Sequence, residues 1–205
     1  MTSRNKRVIG EQAFMLHATS WRETSLIVQL ITRDYGIISA VAKGAKRPNS
    51  VLRPVLNAFQ PLSVSWSGGG EVKTLISAEP YGILAMRGQS FMSAWYMNEL
   101  ILNLLAREDP HPELFDAYMQ ALKELAEQQD NPGKRAYSPA LRQFEWVLLK
   151  ETGYGLDGDM PDFNDHGIER SVRHKIRDRI DAIISRPLRT RQVMRDLMRV
   201  DSNTP

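Results

Sequence analysis

The sequence contains no cysteine in 205 residues. That excludes disulfides, thiolate metal sites, iron–sulfur clusters and cysteine nucleophiles together, and it fits a reducing cytoplasm. Long apolar runs are missing as well. The longest uncharged stretch, Pro54 to Gly70, carries two prolines and three glycines, so it does not read as a membrane span. The first residues, MTSRNKRVIGEQAF, are basic with no apolar run behind them and do not read as a signal peptide.

Catalytic signatures are equally scarce. Gly153 to Gly158 (GYGLDG) matches G-x-G-x-x-G, but it follows a helical pattern and enters an acidic loop, so it reads as a helix end rather than a dinucleotide site. Lys73-Thr74 follows glycines, yet the position before the lysine is Val72 and the lysine sits in an alternating strand, which denies it the backbone cradle of a phosphate loop. Asp157, Asp159, Asp162 and Asp165 lack the closing glutamate of a calcium loop, because Arg173 stands there. His17, His111, His166 and His174 form no zinc-protease spacing, and no G-x-S-x-G elbow occurs. The chain therefore reads as a non-enzyme needing no metal or cofactor.

What is present is a globular balance, with 42% hydrophobic and 25% charged residues, enough for one large core or two small ones. The net charge of +3 hides a pattern: residues 1–80 carry +5, 81–165 carry −7 and 166–205 carry +5. Basic ends around an acidic middle point to polyanion binding.

Residues 1–80 read as β. Strands are predicted over Ala13–Ala18, Ser25–Thr32, Ile37–Ala42, Pro61–Trp66 and Glu71–Ser77, with turn residues between them. In the fourth strand Leu62, Val64 and Trp66 share a face; in the fifth, Val72, Thr74 and Ile76 do. Five short strands suit a small closed barrel, of OB or SH3-like type. Residues 81–205 read as all-helical. Helices are predicted over Phe91–Ala106, from Pro112, from Pro139 with Ser138 as cap and Gly153 as stop, over about Val172–Ile184, and after Thr190 as cap. An acidic loop, 157–168, separates the last two from the rest. The fold class is thus α+β, a 1–80 barrel domain followed by an 81–205 helical domain.

The basic residues of the β part carry the functional signal. Arg4, Lys6 and Arg7 form an N-terminal arm, Arg22 lies between the first two strands, Lys43, Lys46, Arg47 and Arg53 line the long connection, and Lys73 lies on the last strand. Small barrels that bind single strands combine such charges with aromatic platforms. Phe59 and Trp66 read as core; Trp21, between Ser20 and Arg22, reads as the exposed aromatic. A protein-interaction adaptor built on a small barrel, without DNA binding, is the rival reading.

Ten stretches, AFMLH (13–17), RETSL (22–26), VAKGAK (41–46), FQPL (59–62), GEVKTLISAE (70–79), NEL (98–100), ELFDAY (113–118), ALRQFE (140–145), GYGL (153–156) and PLRTRQ (187–192), together resemble the family of the bacterial recombination mediator RecO, in family order over nearly the whole chain. The resemblance implies an N-terminal OB-fold and a helical domain. It implies binding of single- and double-stranded DNA, strand annealing, and help in loading RecA onto DNA coated with single-strand binding protein (SSB). It implies RecR, the SSB C-terminal tail and, in some bacteria, RecF as partners, and work in the cytoplasm on the nucleoid. It puts Lys43, Lys46, Arg47 and Lys73 on the DNA-binding face of the barrel. It puts Arg142 where the acidic SSB tail is received, with Leu141 and Leu148 as apolar contacts beside it. Relatives usually carry a longer segment where Asp157–Ile168 stands here, and the four-cysteine zinc site of some relatives is impossible in this chain.

Overall fold

A computed structural model describes residues 7–128 and 139–201. The chain divides into two compact units, one running up to Leu84 and including Leu105–Phe115, the other comprising Ala85–Leu104 and the chain from Asp116 onward.

The first unit is a closed five-stranded barrel: β1 (Arg7–Trp21), β2 (Ser25–Thr32), β3 (Gly36–Ala42), β4 (Leu62–Ser67) and β5 (Val72–Pro80), in the order β1-β2-β3-β5-β4 with β4 returning to β1. All pairings are antiparallel except β3 with β5. This is the OB arrangement, and it decides between the two barrels that the strand count leaves open. β1 is longer than its apolar run because it serves two neighbours: its first half pairs with β4 and its second with β2. A bulge near Gly10 (φ 71°) bends the half that pairs with β4, and the Gly10 N–H donates to Ser65 Oγ at 3.1 Å. Inside lie Ala13, Met15, Val28, Leu30, Ile38, Ala40, Leu62, Val64, Trp66 and Leu75.

β5 reverses the face its alternation predicts. Val72 (47% exposed) and Ile76 (43%) point outward, while Lys73, Leu75 and Ala78 point inward. A register shift at Ser65/Trp66 and the neutralisation of Lys73 described below allow it. The strands are also buried where alternation would expose them. Phe14, Leu16, Ile31 and Ile37 are buried on the side away from the barrel axis, and Phe14 meets Phe115 with ring centroids 5.6 Å apart. Phe115 belongs to Leu105–Phe115, a stretch that chain order places after the first helix yet lies against β3. The Glu108 N–H donates to the Ile37 carbonyl at 3.0 Å, and Ile37 bridges Arg107. Gly36 (φ 66°) makes the approach possible: a Cβ there would lie 2.2 Å from the Asp109 carbonyl oxygen.

The second unit contains α1 (Gly88–Leu104), α3 (Pro139–Glu151), α4 (His166–Ile183), α5 (Arg189–Asp201) and most of α2 (Pro112–Gln128). Its core joins Ala94, Met97, Leu100 and Ile101 of α1, Tyr118, Leu122 and Leu125 of α2, Phe144 and Leu148 of α3, and Ile176 and Ile180 of α4. Gly153 (φ 79°) ends α3 as expected: its N–H donates to Lys150, and that of Tyr154 to Leu149. The Ser138 cap lies outside the described residues. The acidic loop is shorter than expected, because Asp165 caps α4 by accepting from the Gly167 and Ile168 N–H groups. Nor does Thr190 cap α5. Glu99 of α1 does, accepting from Arg189 N (2.8 Å), Thr190 N (3.0 Å) and Thr190 Oγ1 (2.6 Å), an anion at the positive end of a helix.

Candidate nucleic-acid interface

The turn joining β1 and β2 places Trp21 and Arg22 side by side. Arg22 takes a left-handed backbone (φ 52°), rare for a residue with a side chain, and its guanidinium carbon lies 6.0 Å from the Trp21 ring centre. Trp21 is 44% exposed, an unusual position for so large an apolar surface.

The basic connection after β3 is fastened to this turn. The Lys46 N–H donates to the Thr24 carbonyl at 2.9 Å, and the Gly44 N–H to Ser25 Oγ at 3.3 Å. Gly44 (φ 69°) supplies the bend, with Cδ, Nε and Cζ of the Arg47 side chain lying over it. Beyond it the chain makes successive tight turns, Arg47 to Gly44, Ser50 to Arg47 and Arg53 to Ser50. Ala45, Leu52 and Leu56 anchor these turns in the barrel core, and Lys43, Lys46, Arg47 and Arg53 are left exposed. Small and apolar residues alternate with basic ones so that the backbone is held and the charges are presented. Among the described residues, Arg22, Lys43, Lys46, Arg47 and Arg53 form no ion pair. An exposed indole beside unpaired cations is the arrangement that stacks a base and neutralises phosphates. Gly44, between Lys43 and Ala45 in VAKGAK, is the part of this site to which basic and aromatic residue types do not point; its signal is the glycine itself.

Two expected positions need revision. Lys73 is 6% exposed, and its ammonium donates to Glu108 Oε1 and the Gly70 carbonyl, each at 2.6 Å, so its charge is neutralised inside the barrel and not offered to DNA. Arg7 is exposed but begins β1, paired opposite Ser67, rather than lying in a free arm. Lys6 lies outside the described residues. Trp66 and Phe59 are buried, as expected; Trp66 meets Tyr35 edge-on at 5.2 Å.

The expected tail-receiving site on α3 is not formed as the residues suggest. Leu148 is wholly buried and Leu141 nearly so, and neither offers an apolar contact surface. Arg142 donates to Glu145 and lies 3.4 Å from Glu169, and both carboxylates are buried. Glu145 also accepts from the Tyr96 hydroxyl at 2.7 Å, and Tyr96 accepts from Arg191 at 3.1 Å. Burial, with the Glu145 charge beside it, pushes the Tyr96 hydroxyl far above the ordinary tyrosine range. Arg142 is thus the centre of a network joining α1, α3, α4 and α5, with its Nη1 and Nε directed at buried carboxylates.

Among the described residues no group of three or more His, Asp or Glu could hold a metal ion, and no helix is long and apolar enough to cross a membrane. Comparison with known proteins gives two family matches: Recombination protein O N terminal over residues 7–83 and Recombination protein O C terminal over residues 88–160. The chain is 49% identical over 159 residues to a protein of Aromatoleum aromaticum called DNA repair protein RecO, covering 77% of this chain and 64% of that one. It is 46% identical over 180 residues to the protein of the same name from Ralstonia nicotianae, covering 81% and 64%. With that from Cupriavidus pinatubonensis the identity is 51% over 154 residues, covering 75% and 51%. The matches thus span about half to two thirds of these relatives' length.

Proposed function

The chain belongs to the RecO family, and from that premise we propose that it is a non-enzymatic recombination mediator in DNA repair. In this reading it binds single- and double-stranded DNA, anneals complementary strands and helps load RecA onto SSB-coated DNA. Its partners are the SSB C-terminal tail, RecR and, where present, RecF, and it works in the cytoplasm on the nucleoid. The observation that carries the DNA-binding part is the bond from Lys46 N–H to the Thr24 carbonyl, which brings an exposed tryptophan and a run of unpaired cations to one end of the barrel. Phosphate neutralisation supplies sequence-independent affinity, and stacking on Trp21 favours unpaired bases. Annealing follows when cations screen two backbones while base edges stay free to pair. For the SSB tail, Arg142 is not the proposed receptor, since its charge is shared by the buried carboxylates of Glu145 and Glu169.

The test is charge reversal at Lys43, Lys46 and Arg47 in the full chain. Binding of a labelled oligonucleotide and annealing of complementary strands should both fall steeply. Unchanged binding would support the adaptor reading instead.

A further inference from the structure

Four arginines line one open pocket of about 390 Å³ at the C-terminal end of the helical unit. Arg177 comes from α4, Arg186 from the connection, and Arg191 and Arg195 from α5; Ile184, Pro187 and Leu188 supply apolar wall. Asp181 is the one carboxylate in the lining. It is taken up by Arg191, with Arg177 a looser partner at 3.8 Å. Arg191 is further fixed by Tyr96, whose ring centre lies 5.4 Å from the guanidinium carbon. Arg186 and Arg195 are exposed, and among the described residues neither forms an ion pair. One wall of the pocket is therefore rigid and part-neutralised, while the rim carries Arg186 and Arg195, the latter held by its Nε donating to the Arg191 carbonyl at 3.3 Å.

Guanidinium forks match the paired oxygens of a phosphate, and a pocket of this size admits more than a small inorganic anion. The surroundings favour a ligand of repeating charge over a single carboxylate, because Arg170, two turns before Arg177 on the same face of α4, is also exposed and extends the positive charge along the helix. We propose that this pocket is a phosphate-binding site for a nucleic-acid backbone, made of residues different from those on the barrel. The inference rests on the DNA-binding reading above and deepens it: a chain with two phosphate sites can hold two strands, which annealing demands.

The experiment compares four full-length proteins, each binding a fluorescein-labelled oligothymidine across a salt series. They are wild type, Arg186→Gln with Arg195→Gln, the triple Lys43→Gln, Lys46→Gln and Arg47→Gln, and the five substitutions together. Both pocket substitutions are at exposed positions, so circular dichroism should match wild type. The pocket pair should reduce the slope of log affinity against log salt by about 1.4, at roughly 0.7 per phosphate lost from a single strand. The five-fold variant should lose the sum of the two effects. An unchanged slope in the pocket pair, with a reduced slope in the triple, would overturn the pocket proposal and leave the barrel reading standing. A reduced slope in the pocket pair alone would leave the pocket standing and overturn the barrel reading. No change in either would overturn both. A carboxylate-rich peptide with a free C-terminus serves as the competing probe: if the pocket pair loses the peptide while keeping the DNA slope, the site belongs to an acidic peptide and the proposal falls.

Discussion

The Lys73 ammonium lies 2.6 Å from the Glu108 carboxylate, a partner thirty-five positions later in the chain, and both belong to the barrel unit. The lysine is buried and the glutamate half-exposed. Glu108→Ala strands a buried cation and should cost about 2 kcal/mol, below the range for a fully buried pair because water reaches the glutamate side. Lys73→Met keeps the stem volume and removes the charge, so urea unfolding should register a smaller loss. Lys73→Met should also leave the salt slope of DNA binding unchanged. A slope reduced as in a Lys43 variant would return Lys73 to the DNA site.

Trp21 tests the other half of the interface. Trp21→Ala should weaken single-strand binding by about 1–3 kcal/mol, the worth of one stacked base, and leave duplex binding nearly unchanged, since paired bases cannot reach the indole. Fluorescence anisotropy with matched single- and double-stranded oligonucleotides reads both. Equal losses on the two would make Trp21 a packing residue of the turn.

Arg142 should behave as a structural residue. Arg142→Ala leaves the buried carboxylates of Glu145 and Glu169 without their shared cation, and should lower stability by about 3–5 kcal/mol. Arg142→Lys should recover only part, because a point charge cannot bridge two carboxylates as a planar fork does. A stable Arg142→Ala protein that loses affinity for an SSB-tail peptide would restore the tail-binding role.

Tyr96 gives the protein an alkaline limit. Its hydroxyl is held protonated in the fold well above the ordinary value near 10, while in the unfolded chain it ionises there. Below pH 10 both states keep the proton and the stabilisation is fully present. Above pH 10 the unfolded chain releases a proton that the folded chain retains, so stability falls as pH rises, by up to about 1.4 kcal/mol per pH unit for this one group. Buried Tyr118 adds a second such group. Tyr96→Phe should be less stable at neutral pH, having lost the bond to Glu145, yet show a shallower decline between pH 10 and 12 in urea unfolding.

Much of this fold is legible in the sequence where local rules act alone. β2 occupies Ser25–Thr32 as its β-branched run predicts, and α3 begins at Pro139 and stops before Gly153. The exposed Trp21 and the basic connection are legible for the same reason: polar neighbours in a turn keep side chains in water. The failures share a different cause. Lys73 faces inward beside Glu108, and α5 is capped by a glutamate ninety residues away. No short window of sequence contains both members of either of these pairs, so alternation and capping rules assign each residue to the wrong surroundings.

The stretch Leu105–Phe115, which reaches back to β3, bears on how this protein could be dissected. A fragment ending at residue 84 would contain every strand, yet the Ile37 carbonyl would lose its donor, Lys73 its counter-charge and Phe14 its aromatic neighbour. The smallest self-sufficient barrel is therefore discontinuous in the gene. A workable isolated module would need residues 105–115 grafted behind residue 84 through a short linker, in place of α1.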